Sequence, residues 1–164
     1  MNKYLIFIIS LSFYLNAAFT QEVLPTLNRQ IVDYVKTTIG TKVNRGECWD
    51  LVYEALERND AAWDKKYEYG ERYNPKKNDV LPGDLIQFEN VSVQYKKGKV
   101  TYTETMGHHT AVVYRVIDQE QKIFKLAHQN TDFSGRKVGL SEFNLSHVTK
   151  GKLMFYRPVP TEND

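Results

Sequence analysis

Apolar positions recur at two different periods along this chain. Between Pro25 and Thr38, Leu27, Ile31, Tyr34 and Val35 fall at helical spacing, and Gly40 is placed to end the segment. From Gly46 a second stretch sets Cys48, Leu51, Val52, Ala55 and Leu56 at i, i+3, i+4, i+7 and i+8, the stripe of a helix with one buried face. Residues 59–80 are rich in charge, Tyr, Gly and Asn and contain Pro75, which predicts irregular connection. Beyond them the period falls to two. The turn residues Leu81-Pro82-Gly83-Asp84 lead into a strand over Leu85 to Glu89. Val91, Val93 and Tyr95 alternate, as do Val100 and Tyr102, with Lys96-Lys97-Gly98-Lys99 between them as a hairpin loop. Further strands are predicted over His109 to Ile117, Ile123 to Gln129 and Lys152 to Arg157, before Pro158 and Pro160 close into a polar tail. Two helices followed by an antiparallel meander make an α+β domain.

At 164 residues the chain has room for one such domain, taken as residues 21–164. A formal charge of +2, with Lys and Arg scattered, excludes a basic stripe for nucleic acid. Residues 1–20 read as a signal peptide. Lys3 is the positive start, Tyr4 to Leu15 the apolar run, and Ala18-Phe19-Thr20 puts small residues at the cleavage positions. The apolar run is shorter than the roughly 20 residues that span a bilayer, so no stable membrane insertion is expected after cleavage. The protein is therefore expected to be secreted or periplasmic. Export changes the meaning of Cys48, the only cysteine. It has no internal disulfide partner and must be a free thiol, an intermolecular partner or a nucleophile.

A cysteine at a helix start sits where unpaired N–H groups and the macrodipole favour a thiolate, the form that attacks a carbonyl. Two strand histidines follow it in the sequence. In His109-Thr110-Ala111-Val112-Val113 the side chains at 109, 111 and 113 share a face, and small Ala111 leaves space for a helix to approach. His108 points the other way with Thr110, Val112 and Tyr114, so the choice between His108 and His109 turns on which face is inner. His109 is taken as the base. His128 ends the next strand on the face of Phe124 and Leu126, placed to orient the His109 ring. Asn130 continues that face and is an alternative orienter, or a support for His128. His147 lies in a loop without a partner, and Asp84 has the role of a turn cap. No spacing of Cys48 with the histidines matches a zinc site, so no metal and no cofactor is expected.

Gly46-Glu47-Cys48 opening a helix, Leu81-Pro82-Gly83-Asp84-Leu85-Ile86-Gln87-Phe88, Gly107-His108-His109-Thr110-Ala111-Val112-Val113, and His128-Gln129-Asn130, in that order, resemble the CHAP and NlpC-type branch of papain-like amidohydrolases. The resemblance covers about residues 40 to 158. It implies a papain-like fold with helices packed on an antiparallel sheet, Cys48 as nucleophile, His109 as base and His128 as orienter, with Asn130 matching a polar CHAP position. It implies hydrolysis of an amide in peptidoglycan or another peptide. Trp49 departs from the serine that usually follows the cysteine in the NlpC type, and His128 from the glutamate common in CHAP domains. A thiol acyltransferase or transpeptidase shares the same first half-reaction. A catalytically inactive secreted binding module of the same fold is the reading from a different class.

Overall fold

The structure is a computed structural model and describes residues 23–162; the segment read as a signal peptide lies outside them. Helix α1 runs Thr26–Thr38 and α2 Cys48–Glu57. Pro25 stands at the cap of α1, where its fixed φ suits a helix entry and its missing N–H costs no bond. Gly40 follows α1 with a φ of 81° and lets the chain turn away. Leu51, Val52, Ala55 and Leu56 of α2 are fully buried, as their spacing requires.

Eight strands follow: β1 Ala61–Ala62, β2 Glu71–Tyr73, β3 Leu85–Lys97, β4 Val100–Asp118, β5 Ile123–His128, β6 Gly139–Asn144, β7 Val148–Arg157 and β8 Val159–Pro160. Six of them form one antiparallel sheet in the order β2-β7-β3-β4-β5-β6, and β1 pairs with β8. The α+β class is the one the periodicity predicts. Several details differ. Strand β7 begins at Val148 and not at Lys152, and Val159–Pro160 of the expected polar tail forms β8. The 59–80 connection contains the short strands β1 and β2. The segments read separately around Asn90 and Gly107 are continuous, so β3 and β4 form one long hairpin turning at Gly98-Lys99. Strand β6 was not predicted.

The sheet carries a core on each face. Leu85, Val112, Ala127 and Tyr156 pack with α1 and α2. Ile86, Phe88, Ala111, Val113, Phe124 and Phe155 form the other core. Phe88 on β3 and Phe143 on β6 are separated by two strands, yet their ring centroids are 5.5 Å apart, so the sheet curls around this second core. The outer end of the β3–β4 hairpin extends past both cores, and Val100 to Thr105 are exposed.

The turn before β3 is locked onto α1. Gly83 has a φ of 86°, and a Cβ there would overlap the backbone carbonyl of Asn28. Gly83→Ala is therefore expected to lose at least about 2 kcal/mol, from left-handed backbone strain added to the clash. Urea unfolding checks this: a midpoint equal to that of the wild type would contradict it.

Candidate active site

The entry to α2 is held from both sides. The Asp50 carboxylate accepts the N–H of Arg45 at 3.0 Å and of Glu47 at 3.1 Å, and pairs with the Arg45 guanidinium at 2.6 Å. From the end of β5, the fully buried Gln129 donates to the carbonyls of Glu47 (2.7 Å) and Val43 (3.1 Å) and accepts the Val43 N–H. Asn130 donates to the Glu47 carboxylate at 2.8 Å. Asn130 is thus engaged at the helix start, and among the described residues it makes no hydrogen bond to either His109 or His128. Gln129, which the alternation places on the helix-facing side, was not singled out from the sequence.

Cys48 is the first residue of α2, free and half-buried. Its carbonyl accepts the Thr110 hydroxyl at 3.1 Å, which seats the helix start on β4. Burial pushes the thiol above its ordinary value, outweighing the hydrogen bonds from Thr110 and the Trp49 N–H that favour the thiolate. The acidifying effect expected of the helix start is therefore outweighed by desolvation.

His109 and His128 are paired. His109 Nε2 and His128 Nδ1 are 2.9 Å apart, and His128 Nε2 is 2.9 Å from Ser141 Oγ. The rings are 8% and 6% exposed, and burial pulls both down from the ordinary imidazole value, to about 4 for His109 and about 3 for His128. Both are neutral at pH 7. In the pair one ring donates and the other accepts, and His109 Nδ1 is left outside it.

This pairing links stability to acid. Unfolded histidines titrate near about 6.5, while the folded pair holds out to about 4 and about 3. Between those values the unfolded chain binds more protons, so stability is complete above about pH 6.5 and falls as the pH drops from there. The expected slope is up to about 1.4 kcal/mol per pH unit for each ring. Urea unfolding of the wild type and His128→Gln at descending pH reads it. A shallower slope in the variant is expected; equal slopes would contradict the assignment.

Strand parity separates the histidines. His109 packs against Phe88, at 5.9 Å between ring centroids, and so belongs with Ala111 and Val113 to the face of the second core. Thr110, which touches Cys48, lies on the helix face, with its cross-strand partner Gln87 bonded to Tyr69. His108 shares that helix face. Ala111, expected to make room for a helix, instead packs inside the second core. His108, His109, His128 and Cys48 line one groove of about 990 Å³, which continues along Tyr95 and His147 toward the hairpin arm. Among the described residues no hydrogen bond joins the Cys48 sulfur to an imidazole. His147 sits in a 3-10 turn, Leu145–His147, with its ring stacked 6.1 Å from Tyr95. Among the described residues no cluster of His, Cys, Asp and Glu is arranged to hold a metal.

A cysteine opening a helix, seated on a curled antiparallel sheet whose strands carry histidines into the same groove, defines the cysteine-proteinase fold. The chain belongs to the AIM3/BBC1 cysteine proteinase-fold domain family, whose model matches residues 21–163. The sequence resemblance to papain-like enzymes holds at the level of that fold; the matching family is this one and not CHAP or NlpC. A solved structure described as "The crystal structure of Ly7917" is similar at 13% identity and a TM-score of 0.47, over 79% of this chain. The chain spans 62% of that structure's length. No curated protein matches the chain significantly.

Proposed function

We propose that this protein is a secreted cysteine hydrolase that cleaves amide bonds by acyl transfer, with peptidoglycan peptides as its substrate class. The observation that carries the reading is the placement of Cys48: first residue of a helix, half-buried, and in one groove with the imidazoles of His108, His109, His128 and His147. The sulfur attacks the carbonyl carbon, a histidine of the groove takes the thiol proton and returns it to the leaving amine, and water cleaves the thioester. The Cys48 N–H has no intrahelical acceptor at the first helical position and supplies an oxyanion donor. The chemistry requires no cofactor. The substrate and the exported location are what the sequence resemblance and the N-terminal segment imply.

Digestion of purified peptidoglycan, read by mass spectrometry of the soluble fragments, tests this. Fragments with newly freed amines or carboxylates at a stem-peptide bond, or at the peptide–sugar amide, are the expected products. Intact peptidoglycan, or fragments cut only at glycosidic bonds, would refute it. Transfer to an added amine in place of water would identify an acyltransferase. A binding module that keeps the fold without the chemistry is favoured by two observations, the raised thiol and the missing sulfur–imidazole bond. It predicts peptidoglycan retention without any cleavage.

A further inference from the structure

The groove holds a second histidine arrangement, on the face where Cys48 lies. His108 Nδ1 is 2.9 Å from Glu89 Oε1 and 3.1 Å from Oε2, directly across the β3–β4 ladder. A carboxylate only accepts, so Nδ1 carries the hydrogen and Nε2 is the accepting nitrogen, with the Gln87 amide nitrogen 3.5 Å from it. Gln87 donates to the same carboxylate at 2.9 Å. The Tyr67 ring packs edge-on against His108, with centroids 4.4 Å apart. The segment bearing Tyr67 is tied to the residue after Cys48, because Trp49 Nε1 donates to the Lys66 carbonyl at 2.8 Å. His108 is one same-face step along β4 from Thr110, whose hydroxyl holds the Cys48 carbonyl. One such step is about 6.7 Å, two strand rises.

We propose that His108, oriented by Glu89, is the base that serves Cys48. The assignment rests on the reading of Cys48 as nucleophile. Two independent observations favour His108 over His109. The first is parity: His108 lies on the face that receives α2, whereas His109 points into the second core. The second is the ability to hold a charge. A base becomes an imidazolium when it takes the thiol proton. His109 and His128 are buried, and among the described residues their side chains hydrogen-bond only to each other and to Ser141. His108 is 46% exposed and has a carboxylate beside it. Lys152, the β7 partner of Glu89, is the positive charge acting on that carboxylate, and His109 is the adjacent ring in sequence, on the opposite face of β4.

In the reaction the S–H bond of Cys48 breaks, its proton passes to His108 Nε2, and sulfur bonds the carbonyl carbon. The C–N bond then breaks and the amine leaves with that proton. Water next gives a proton to Nε2 as its oxygen attacks the thioester; the C–S bond breaks and sulfur takes the proton back. Glu89 is a positioning residue: it fixes the tautomer and stabilises the imidazolium.

The test is the pH dependence of Cys48 alkylation by iodoacetamide in the folded protein, followed by intact mass from about pH 5 to about pH 10. His108→Gln is expected to slow alkylation at neutral pH by about tenfold or more and to shift the inflection upward. Glu89→Gln is expected to shift the inflection in the same direction, because the imidazolium loses its counter-charge. Its half-exposed site keeps that variant folded even where a histidine variant is not. His109→Gln is expected to leave the profile in place. A profile lost in His109→Gln and kept in His108→Gln, or unmoved in Glu89→Gln, would overturn the assignment while leaving the nucleophile standing. A folded wild type that resists alkylation at every pH would overturn the nucleophile and this assignment together.

Discussion

Asp84→Ala is expected to destabilise the protein by about 3–5 kcal/mol, a large share of the total stability of a domain this size. Asp84 is fully buried at the start of β3. Its carboxylate accepts from Asn28 Nδ2 at 2.9 Å, the Tyr73 hydroxyl at 2.6 Å and the Leu81 N–H at 2.8 Å. It also receives the Arg157 guanidinium at 3.2 and 3.0 Å. One side chain thus joins α1, β2, the turn before β3 and β7. Its removal leaves several donors facing an empty site, and donors without partners are costlier than the lost bonds themselves. Asp84→Asn, which keeps one oxygen acceptor and loses the charge opposite Arg157, should fall between the wild type and the alanine variant. Urea unfolding by circular dichroism measures both. A loss below about 1 kcal/mol for the alanine variant would show that the turn is held by other contacts.

From the sequence Asp84 is a turn cap, and it is one, through Leu81. Nothing in the local pattern announces the other partners, because Asn28, Tyr73 and Arg157 are distant in the chain and meet only when α1 and β7 flank the turn. The same distinction runs through the fold. Both helices are legible because their apolar residues repeat at helical spacing and their starts carry Pro25 and Gly46. The inner halves of β3 and β4 are legible because they alternate. Val91 and Val93 beyond Asn90 still enter the second core, whereas Val100 to Thr105 are exposed, and Asn90 and Gly107 look like breaks in strands that in fact continue. Strand β7 begins with Val148-Thr149-Lys150-Gly151, mostly exposed, and its first half carries no apolar signal. Strands β1 and β2 are two and three residues long, too short to show a period.

At the site, period two correctly groups His109 with Ala111 and Val113, and His108 with Thr110 and Val112. Alternation does not say which group meets the helices. Ala111 and Val112 are both fully buried, since each face of the sheet has its own core. A sheet covered on one side only would have revealed the inner face through its polar residues. Here the decision comes from tertiary contacts, Thr110 on the Cys48 carbonyl on one face and His109 against Phe88 on the other. The proximity of His109 and His128 follows from adjacent antiparallel strands, and their burial from the curl that brings Phe88 to Phe143. Gln129 was hidden because a glutamine at a strand end reads as the start of a turn; its bonds reach Val43 and Glu47, more than eighty positions earlier.

Cys48→Ala is expected to abolish amide cleavage, lowering turnover by at least about a thousandfold, as loss of a covalent nucleophile does. The variant should remain folded. The substitution removes one atom from a half-buried position, and the helix start is held by Asp50, Gln129 and Thr110 through groups that alanine leaves in place. Its stability should stay within about 1 kcal/mol of the wild type. Any loss of turnover then belongs to the sulfur. The deciding measurement is a side-by-side digestion of purified peptidoglycan by wild type and Cys48→Ala at equal concentration, with fragments quantified by mass spectrometry. Amide-cleaved fragments from the wild type alone are predicted; equal yields from the two proteins would contradict the nucleophile.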